Sequence, residues 1–247
     1  MIKSIVFSFV ATFLYIGQAL ATPIIVTPGS LSSSTGLITF DDVLGGVSPG
    51  TNYDGILVSN AASFAERFVG QTITHSGGSD ILGGNPVGPL SLQAGEPSRN
   101  LNVFLYNNTS NVLDGLGPAR EEFPVENTIG EGSFAVLFQY DQSQFGFDLV
   151  GGNAGNAYVS FFTRSGTLID AITLSGLSDQ SYVFSREGGY SDIAGISIYN
   201  NDPGGIGIDN VRFYAPVSAV PEPATSLLLI AGLVGAGLLR MRVRYPA

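Results

Sequence analysis

Short runs in which apolar and polar residues alternate cover much of the chain between its two ends. In residues 133–140 the aromatic and β-branched side chains recur at every second position, so they share one face, as in a half-buried strand. Comparable runs, bounded by Gly, Asn and Asp, predict strands at residues 37–43, 64–74, 101–106, 133–140, 145–150, 157–163, 168–174, 193–199 and 206–214. Residues 59–68 are the one stretch of this region where a short helix is an alternative.

Glycine-containing turns predict how these strands connect. Residues 164–166 read Arg-Ser-Gly and residues 201–205 read Asn-Asp-Pro-Gly-Gly, and both offer positions that tolerate a positive φ, as hairpin connections require. Loops rich in Gly and Pro within residues 75–130 are expected to be surface excursions, where binding residues are often found. The pattern predicts an all-β fold, a two-sheet antiparallel β-sandwich of the jelly-roll type, over residues 36–216. Residues 22–35 are predicted to be an extended segment leading into it.

The first 21 residues have the pattern of a secretory signal peptide. Lys3 precedes an apolar core at residues 5–16, and Ala19 and Ala21 provide a small-residue cleavage site. Cleavage after Ala21 would follow passage through the secretion translocon. A buried first strand or an uncleaved anchor is the alternative.

The C-terminal end of the chain combines three features in order. Pro221, Glu222 and Pro223 form a stiff, extended box, because the two prolines fix φ and remove two backbone donors. Residues 224–239 then form a predicted single hydrophobic helix, shorter than the roughly 20 residues of a stable membrane span. A basic cluster that holds the C-terminus on the cytoplasmic side follows at Arg240, Arg242 and Arg244.

This arrangement resembles the PEP-CTERM sorting signal of Gram-negative bacteria that make exopolysaccharide. The resemblance covers residues 217–247 and implies that a membrane-embedded exosortase recognises the segment and removes the helix. It implies a protein that is held transiently in the inner membrane through residues 224–239, with its domain in the periplasm, and is then released to the cell surface or the extracellular space. An ordinary C-terminal anchor with a proline-rich neck is the alternative, and both interpretations place the domain outside the cytoplasm.

Two further segments resemble the terminal strands of many PEP-CTERM proteins and related lectin-like sandwiches. They are residues 38–42, Ile-Thr-Phe-Asp-Asp, and residues 207–213, Gly-Ile-Asp-Asn-Val-Arg-Phe. The resemblance implies that these two strands lie side by side. It also implies that the Tyr-Asp-Gly turn at residues 53–55 lies in the middle of the domain.

Composition excludes several classes of function. The chain has no Cys, which removes thiol nucleophiles, iron–sulfur clusters and Cys-based zinc sites. Its only lysine, Lys3, lies in the predicted signal peptide, so Schiff-base chemistry is excluded from the mature protein. With a net charge of −10, the chain is expected to repel nucleic acid, because nucleic-acid binding requires clustered Lys and Arg.

Acidic side chains in the two terminal strands lead to the hypothesis of a structural Ca²⁺ site. Asp41, Asp42 and Asp209 would project from adjacent strands, and Ca²⁺ prefers about six to eight oxygen ligands. The alternative is that Asp41 and Asp42 end a strand, while Asp209 makes local turn hydrogen bonds.

Catalytic interpretations have less support. His75 is the only histidine, so a Ser-His-Asp triad would have to use it, yet the neighbouring Ser and Asp lie in a glycine-rich stretch and no Gly-x-Ser-x-Gly elbow occurs. A glycosidase would need two carboxylates about 5 to 9.5 Å apart. Acidic candidates for such a pair are Glu121, Glu122, Glu126 and Glu131. The alternative for all of these residues is a solvated loop.

Tyrosines beside Asn and Asp are the candidates for sugar binding. Aromatic rings stack on pyranose faces while amides and carboxylates bind sugar hydroxyls, although strand-end tyrosines with a wet hydroxyl are common in any sandwich. The candidates are Tyr53, Tyr106, Tyr190 and Tyr199. The sequence therefore predicts an exported, non-enzymatic surface or biofilm-matrix protein that associates with extracellular polysaccharide. A secreted carbohydrate-active enzyme on the same sandwich is the alternative.

Overall fold

The computed structural model describes residues 23–118 and 129–215. The predicted signal peptide, the predicted C-terminal helix and the sorting residues lie outside these ranges. Within the two ranges there is a short 3-10 helix, Glu187–Gly189, and no helix has the length and hydropathy of a membrane-spanning segment. The strands are β1 (Ile24–Pro28), β2 (Gly36–Ile38), β3 (Thr51–Tyr53), β4 (Leu57–Ser59), β5 (Ala62–Ala65), β6 (Arg67–Phe68), β7 (Thr72–Ser76), β8 (Ser79–Gly83), β9 (Leu92–Gln93), β10 (Leu101–Tyr106), β11 (Ser110–Leu116), β12 (Ile129–Gly132), β13 (Phe134–Gln142), β14 (Gln144–Val150), β15 (Asn156–Phe162), β16 (Leu168–Ser175), β17 (Gln180–Arg186), β18 (Ile193–Asn200) and β19 (Gly207–Phe213).

Two antiparallel sheets form the body of the described structure. The larger, sheet A, has the order β1-β17-β14-β19-β11-β10-β3, with β12 also paired to β11 and β2 to β19. The smaller, sheet B, has the order β16-β15-β18-β13-β5-β4. The predicted all-β class is confirmed, and two packed antiparallel sheets are the arrangement of a β-sandwich.

Phenylalanine side chains hold the two sheets together. Phe138 of sheet B lies with its ring centroid 5.1 Å from that of Phe145 in sheet A, and Phe161 of sheet B lies 5.5 Å from Phe184 in sheet A. Each of these four side chains is fully buried. Their positions follow from the alternation along each strand, which sends every second side chain into the space between the sheets. Ring pairs at these distances add about 0.5–1.5 kcal/mol each to the burial of apolar area.

The terminal strands differ in part from the prediction. β2 pairs with β19, with Ile38 opposite Val211, so the two segments that resemble terminal strands lie side by side as expected. Residues within the predicted leading segment, however, form β1, which pairs with β17 at the edge of sheet A. Ile24 is buried, and its amide donates to Asp170 Oδ2 at 2.8 Å, which explains why this part of the segment is ordered as a strand.

The β6–β9 and β7–β8 strand pairs form an extra layer over the outer face of sheet B. The hairpin β7–β8 packs against β18, and Gln71 Nε2 donates to Ser197 Oγ at 3.0 Å. A second, small apolar cluster fills the space beneath this layer, formed by Phe68, Leu90, Ala135, Phe162 and Ala194. The predicted excursion is therefore a packed layer, which is why β18 is buried on both of its faces.

Two local predictions were wrong. Residues 201–205 do not close a hairpin, because β18 lies in sheet B and β19 lies in sheet A, so this turn carries the chain from one sheet to the other. The short helix considered at residues 59–68 is absent: β5 occupies its centre and pairs with β13, which places Phe64 opposite Val136. Phe64 is fully buried there, and tertiary packing overrides the weak local helical pattern. The turn at residues 164–166 does close the β15–β16 hairpin.

Candidate functional site

A groove with two tyrosines in its wall lies where the β7–β8 hairpin approaches the ends of β15 and β18. Its volume is about 260 Å³. The lining side chains, here called the tyrosine groove, are Ser76, Ser79, Ile81, Tyr158, Tyr199, Asn200 and Asn201. The groove thus combines aromatic, hydroxyl and amide groups in one concave surface.

Tyr158 and Tyr199 are direct cross-strand neighbours on β15 and β18. Their rings are stacked, with centroids 4.7 Å apart and an angle of 16° between the ring planes. Both side chains point outward from sheet B because the residues adjacent to them in each strand, Val159 and Ile198, point into the core. Partial burial raises the pKa of Tyr199, and the nearby Tyr158 hydroxyl raises it further, so the Tyr199 phenol stays neutral at physiological pH.

The opposite wall of the tyrosine groove is held in place by a buried carboxylate. Asp80 is almost fully buried, and its Oδ2 accepts the main-chain amide of Ser133 at 3.1 Å. Its Oδ1 lies 3.0 Å from Nδ1 of His75, whose side chain is 53% exposed. Burial raises the pKa of Asp80, although the hydrogen bonds from Ser133 and the contact with His75 oppose the shift. Asp80 and His75 therefore fix the hairpin that presents Ser76 and Ser79 to the groove.

Only one of the four predicted tyrosines lies in this groove. Tyr199 does, whereas Tyr53 donates its hydroxyl to the Leu44 carbonyl at 2.7 Å and Tyr106 directs its hydroxyl to Asp179 at 3.3 Å. Tyr190 is 58% exposed, and its ring lies 5.8 Å from the Arg186 guanidinium carbon. The partner of Tyr199, Tyr158, was missed because it lies within a strand, and only the pairing of β15 with β18 brings the two rings together.

The three aspartates predicted to bind Ca²⁺ are not gathered into one ligand set. Asp42 accepts the Ser59 hydroxyl at 2.9 Å, and Asp41 accepts the main-chain amide of Asn111 at 3.3 Å. In residues 23–118 and 129–215 no group of three or more His, Asp or Glu side chains is arranged to hold a metal ion. The calcium site formed by this trio stays a hypothesis, and in the structure the carboxylates of Asp41 and Asp42 accept hydrogen bonds from Asn111 and Ser59.

Asp209, the third predicted ligand, belongs to a polar cluster on sheet A. Its Oδ2 accepts the hydroxyl of Ser110 at 2.9 Å, and its Oδ1 accepts the amide of Asn210 at 2.6 Å. Burial raises the pKa of Asp209 despite these hydrogen bonds, and the nearby carboxylates of Asp148 and Asp41 raise it further. The negative charge of Asp148 is balanced by Arg212, which donates to both of its carboxylate oxygens at 2.8 and 3.2 Å.

The candidate catalytic groups are not assembled in the described ranges. Nδ1 of His75 contacts Asp80 Oδ1, and no serine in residues 23–118 and 129–215 is hydrogen-bonded to the His75 ring. Glu121, Glu122 and Glu126 lie outside the described residues. Glu131 lies on β12, with its Oε2 3.5 Å from the position that a Cβ on Gly78 would take, close to the tip of the β7–β8 hairpin.

Comparison with known proteins bears on the C-terminal end of the chain. No curated protein matches the chain in sequence. Residues 219–244 match the family model described as the PEP-CTERM protein-sorting motif. The matched range contains Pro221, Glu222 and Pro223, the apolar segment and the three arginines that follow it. The chain therefore carries a PEP-CTERM protein-sorting motif, which marks an exported protein that an exosortase sorts.

Proposed function

We propose that this protein is a non-enzymatic component of the cell surface or extracellular matrix, and that it associates with exopolysaccharide through the tyrosine groove. The single observation that carries the proposal is the stacked pair of Tyr158 and Tyr199 in the wall of a concave polar surface. The sorting motif supports the extracellular setting, since it directs an exported protein to an exosortase.

The chemistry of the tyrosine groove suits a sugar. An aromatic ring offers an apolar face to the C–H groups of a pyranose, while the phenol hydroxyl remains free to form hydrogen bonds. Asn201 and the hydroxyls of Ser76 and Ser79 lie around the rings and can donate to or accept from sugar hydroxyls. The volume of about 260 Å³ suits one or two sugar residues of a longer chain.

Charge favours a neutral or cationic glycan. The chain carries a net charge of −10, and Asp80 lies directly behind the groove wall. An anionic polysaccharide would be repelled at low ionic strength. We therefore expect uncharged or amino sugars to bind better than uronic acids.

Polysaccharide binding is tested with variants of the groove. Tyr158→Ala and Tyr199→Ala should each weaken retention of the purified protein in affinity electrophoresis against the exopolysaccharide of the producing cell, by about tenfold or 1.4 kcal/mol. Tyr190→Ala is the matched control, because this exposed tyrosine does not line the groove. If both groove variants are retained like the wild type and still melt cooperatively, the tyrosine groove does not bind the polysaccharide.

The absence of enzymatic activity is tested on the same polysaccharide. Prolonged incubation with the protein should release no new reducing ends and leave the polymer length unchanged. Accumulation of reducing ends that is lost in Asp80→Asn or His75→Ala would instead support the carbohydrate-active alternative.

The processing route is tested at the sorting motif. We propose transient insertion in the inner membrane through residues 224–239, exosortase cleavage near the Pro-Glu-Pro box, and release to the surface. Mass spectrometry of the C-terminus should find a truncated protein in the wild type and a full-length tail in a Glu222→Ala strain. Identical full-length tails in both strains would contradict the cleavage step.

A further inference from the structure

A second, smaller pocket lies on the outer face of sheet A and includes an aspartate, Asp114, in its lining. Its volume is about 70 Å³. Apolar walls are provided by Phe104, Ile129, Val150 and Ile206. This Asp114 pocket shares no lining residue with the tyrosine groove.

Asp114 is fully buried, and within residues 23–118 and 129–215 no charged side chain pairs with it. Its Oδ1 accepts the main-chain amide of Gly130 at 3.1 Å, and its Oδ2 lies 3.4 Å from Nδ2 of Asn102. Burial raises the pKa of Asp114 well above its usual range, and these two neutral donors oppose the shift without reversing it. Such surroundings favour the protonated form of a carboxyl group, which can donate a hydrogen bond as well as accept one.

The polar groups beside Asp114 are incompletely satisfied. Asn102 is fully buried, and its Nδ2 donates to the Pro49 carbonyl at 2.9 Å. Its Oδ1 has no hydrogen-bond partner among the residues that the structure describes. Native proteins rarely leave buried polar atoms without partners, and those that do so cluster at functional sites.

Glycines, which carry no side chain, make up part of the pocket lining and leave it room. Gly207 lies opposite Asp114 on the neighbouring strand, where a side chain would enter the pocket. The carbonyl oxygen of Gly151 lies 3.1 Å from the position that a Cβ on Gly204 would take. The carbonyl oxygen of Gly205 lies 3.2 Å from the equivalent position on Gly151. Main-chain atoms of glycines and apolar side chains thus line the pocket together with Asp114.

We propose that the Asp114 pocket binds the acetamido group of an N-acetylated sugar. Its methyl group would pack against the apolar walls, its carbonyl oxygen would accept the Asp114 proton, and its N–H would donate to a main-chain oxygen. A pocket of about 70 Å³ admits a group of this size but not a whole pyranose ring. A sugar hydroxyl leaves the apolar walls unfilled, and an ammonium group would require an ionised carboxylate, which burial disfavours.

The test compares three sugars on the purified protein by NMR titration. N-acetylglucosamine should bind at least about tenfold more tightly than glucose or glucosamine, a difference of 1.4 kcal/mol. Gly207→Ala should abolish this preference by filling the pocket. The added methyl would lie 3.5 Å from side-chain atoms of Val112 and Val150 and 3.2 Å from the Leu113 carbonyl oxygen, so the fold tolerates it after a small adjustment.

Two further variants distinguish the possible outcomes. Asp114→Asn keeps both a donor and an acceptor and should retain N-acetylglucosamine binding within about threefold, a difference of under 1 kcal/mol. Tyr199→Ala should leave this binding unchanged, so failure of the tyrosine groove and failure of the Asp114 pocket are separable. Tighter binding of glucosamine that is lost in Asp114→Asn would overturn the proposal, as would equal binding of all three sugars to the wild type and to Gly207→Ala.

Discussion

The carboxylate of Asp202 accepts the main-chain amide of Gly155 at 2.7 Å through Oδ2. The two backbones lie so close that a Cβ on Gly155 would stand 2.4 Å from the Asp202 Cα atom. The same carboxylate accepts the amides of Asn153 and Gly204, and Asp202 is 1% exposed. One side chain therefore joins the β14–β15 connection to the turn that carries the chain from sheet B to sheet A.

Asp202→Asn should destabilise the domain by about 2 kcal/mol, because an amide group would replace an acceptor that faces several N–H donors. Urea denaturation should show a lower midpoint with an unchanged slope. Glu187→Gln is the matched control, since it removes one negative charge from an exposed residue. A midpoint equal to that of the control would contradict the role given to Asp202.

Asn100 is a second buried centre whose hydrogen-bonding groups are fully used. Its Oδ1 accepts the amides of Glu66 and Gly95, and its Nδ2 donates to the carbonyls of Tyr53 and Gly55. Asn100→Asp places an oxygen against two carbonyl oxygens and should lower the free energy of unfolding by about 3 kcal/mol. The exposed Asn108→Asp, measured in the same thermal melts, should stay within about 0.5 kcal/mol of the wild type.

The ion pair between Asp148 and Arg212 should make stability depend on acid pH. Burial alone would raise the pKa of Asp148, but hydrogen bonds from Arg212 and Ser181 outweigh it and lower the pKa. The carboxylate therefore adds stability above its unfolded pKa of about 3.9, and that stability is lost as the pH falls through the lower, folded pKa. Arg212→Gln should cost about 1 kcal/mol at pH 7, because the pair is partly exposed, and much less at pH 3. An equal cost at both pH values would show that Arg212 acts through packing alone.

Asp114 should make the stability of the domain depend on pH in the opposite direction. Its folded pKa lies above the unfolded value of about 3.9, so the native state becomes less stable as the pH rises from that value towards the folded pKa. Asp114→Asn removes this ionisation and should melt at a higher temperature than the wild type at pH 8, with the two converging at pH 4. A difference in melting temperature that stays constant between these pH values would mean that Asp114 is not held neutral by burial.

The strands with a clear period of two could be predicted from sequence, whereas a strand whose alternation is interrupted could not. β10 and β13 were predicted because their apolar positions alternate. β11 was missed because Asp114 and Gly115 interrupt its pattern, although both are buried. The burial of Asp114 depends on Gly130, which a local pattern cannot place beside it.

The tyrosine groove, too, could be predicted from the sequence only in part. Tyr199 was predicted because aromatic residues beside Asn are typical of sugar sites, but its stacked partner Tyr158 follows from strand pairing alone. The opposite wall depends on the packing of the β7–β8 hairpin, which a glycine-rich sequence made look like a loop. Residue types could thus be predicted locally, whereas their juxtaposition is set by contacts between distant segments.

The place of β19 has a consequence for the order in which the domain folds. β19 is the last described strand in sequence, yet it lies between β14 and β11 in the middle of sheet A. When the chain emerges from a pore N-terminus first, both flanking strands emerge before β19. Their edges stay unpaired until β19 inserts between them and joins the two halves of the sheet. Exposed edges invite pairing with other chains. The insertion of β19 is therefore the step that protects the edges of β14 and β11 from pairing with other chains.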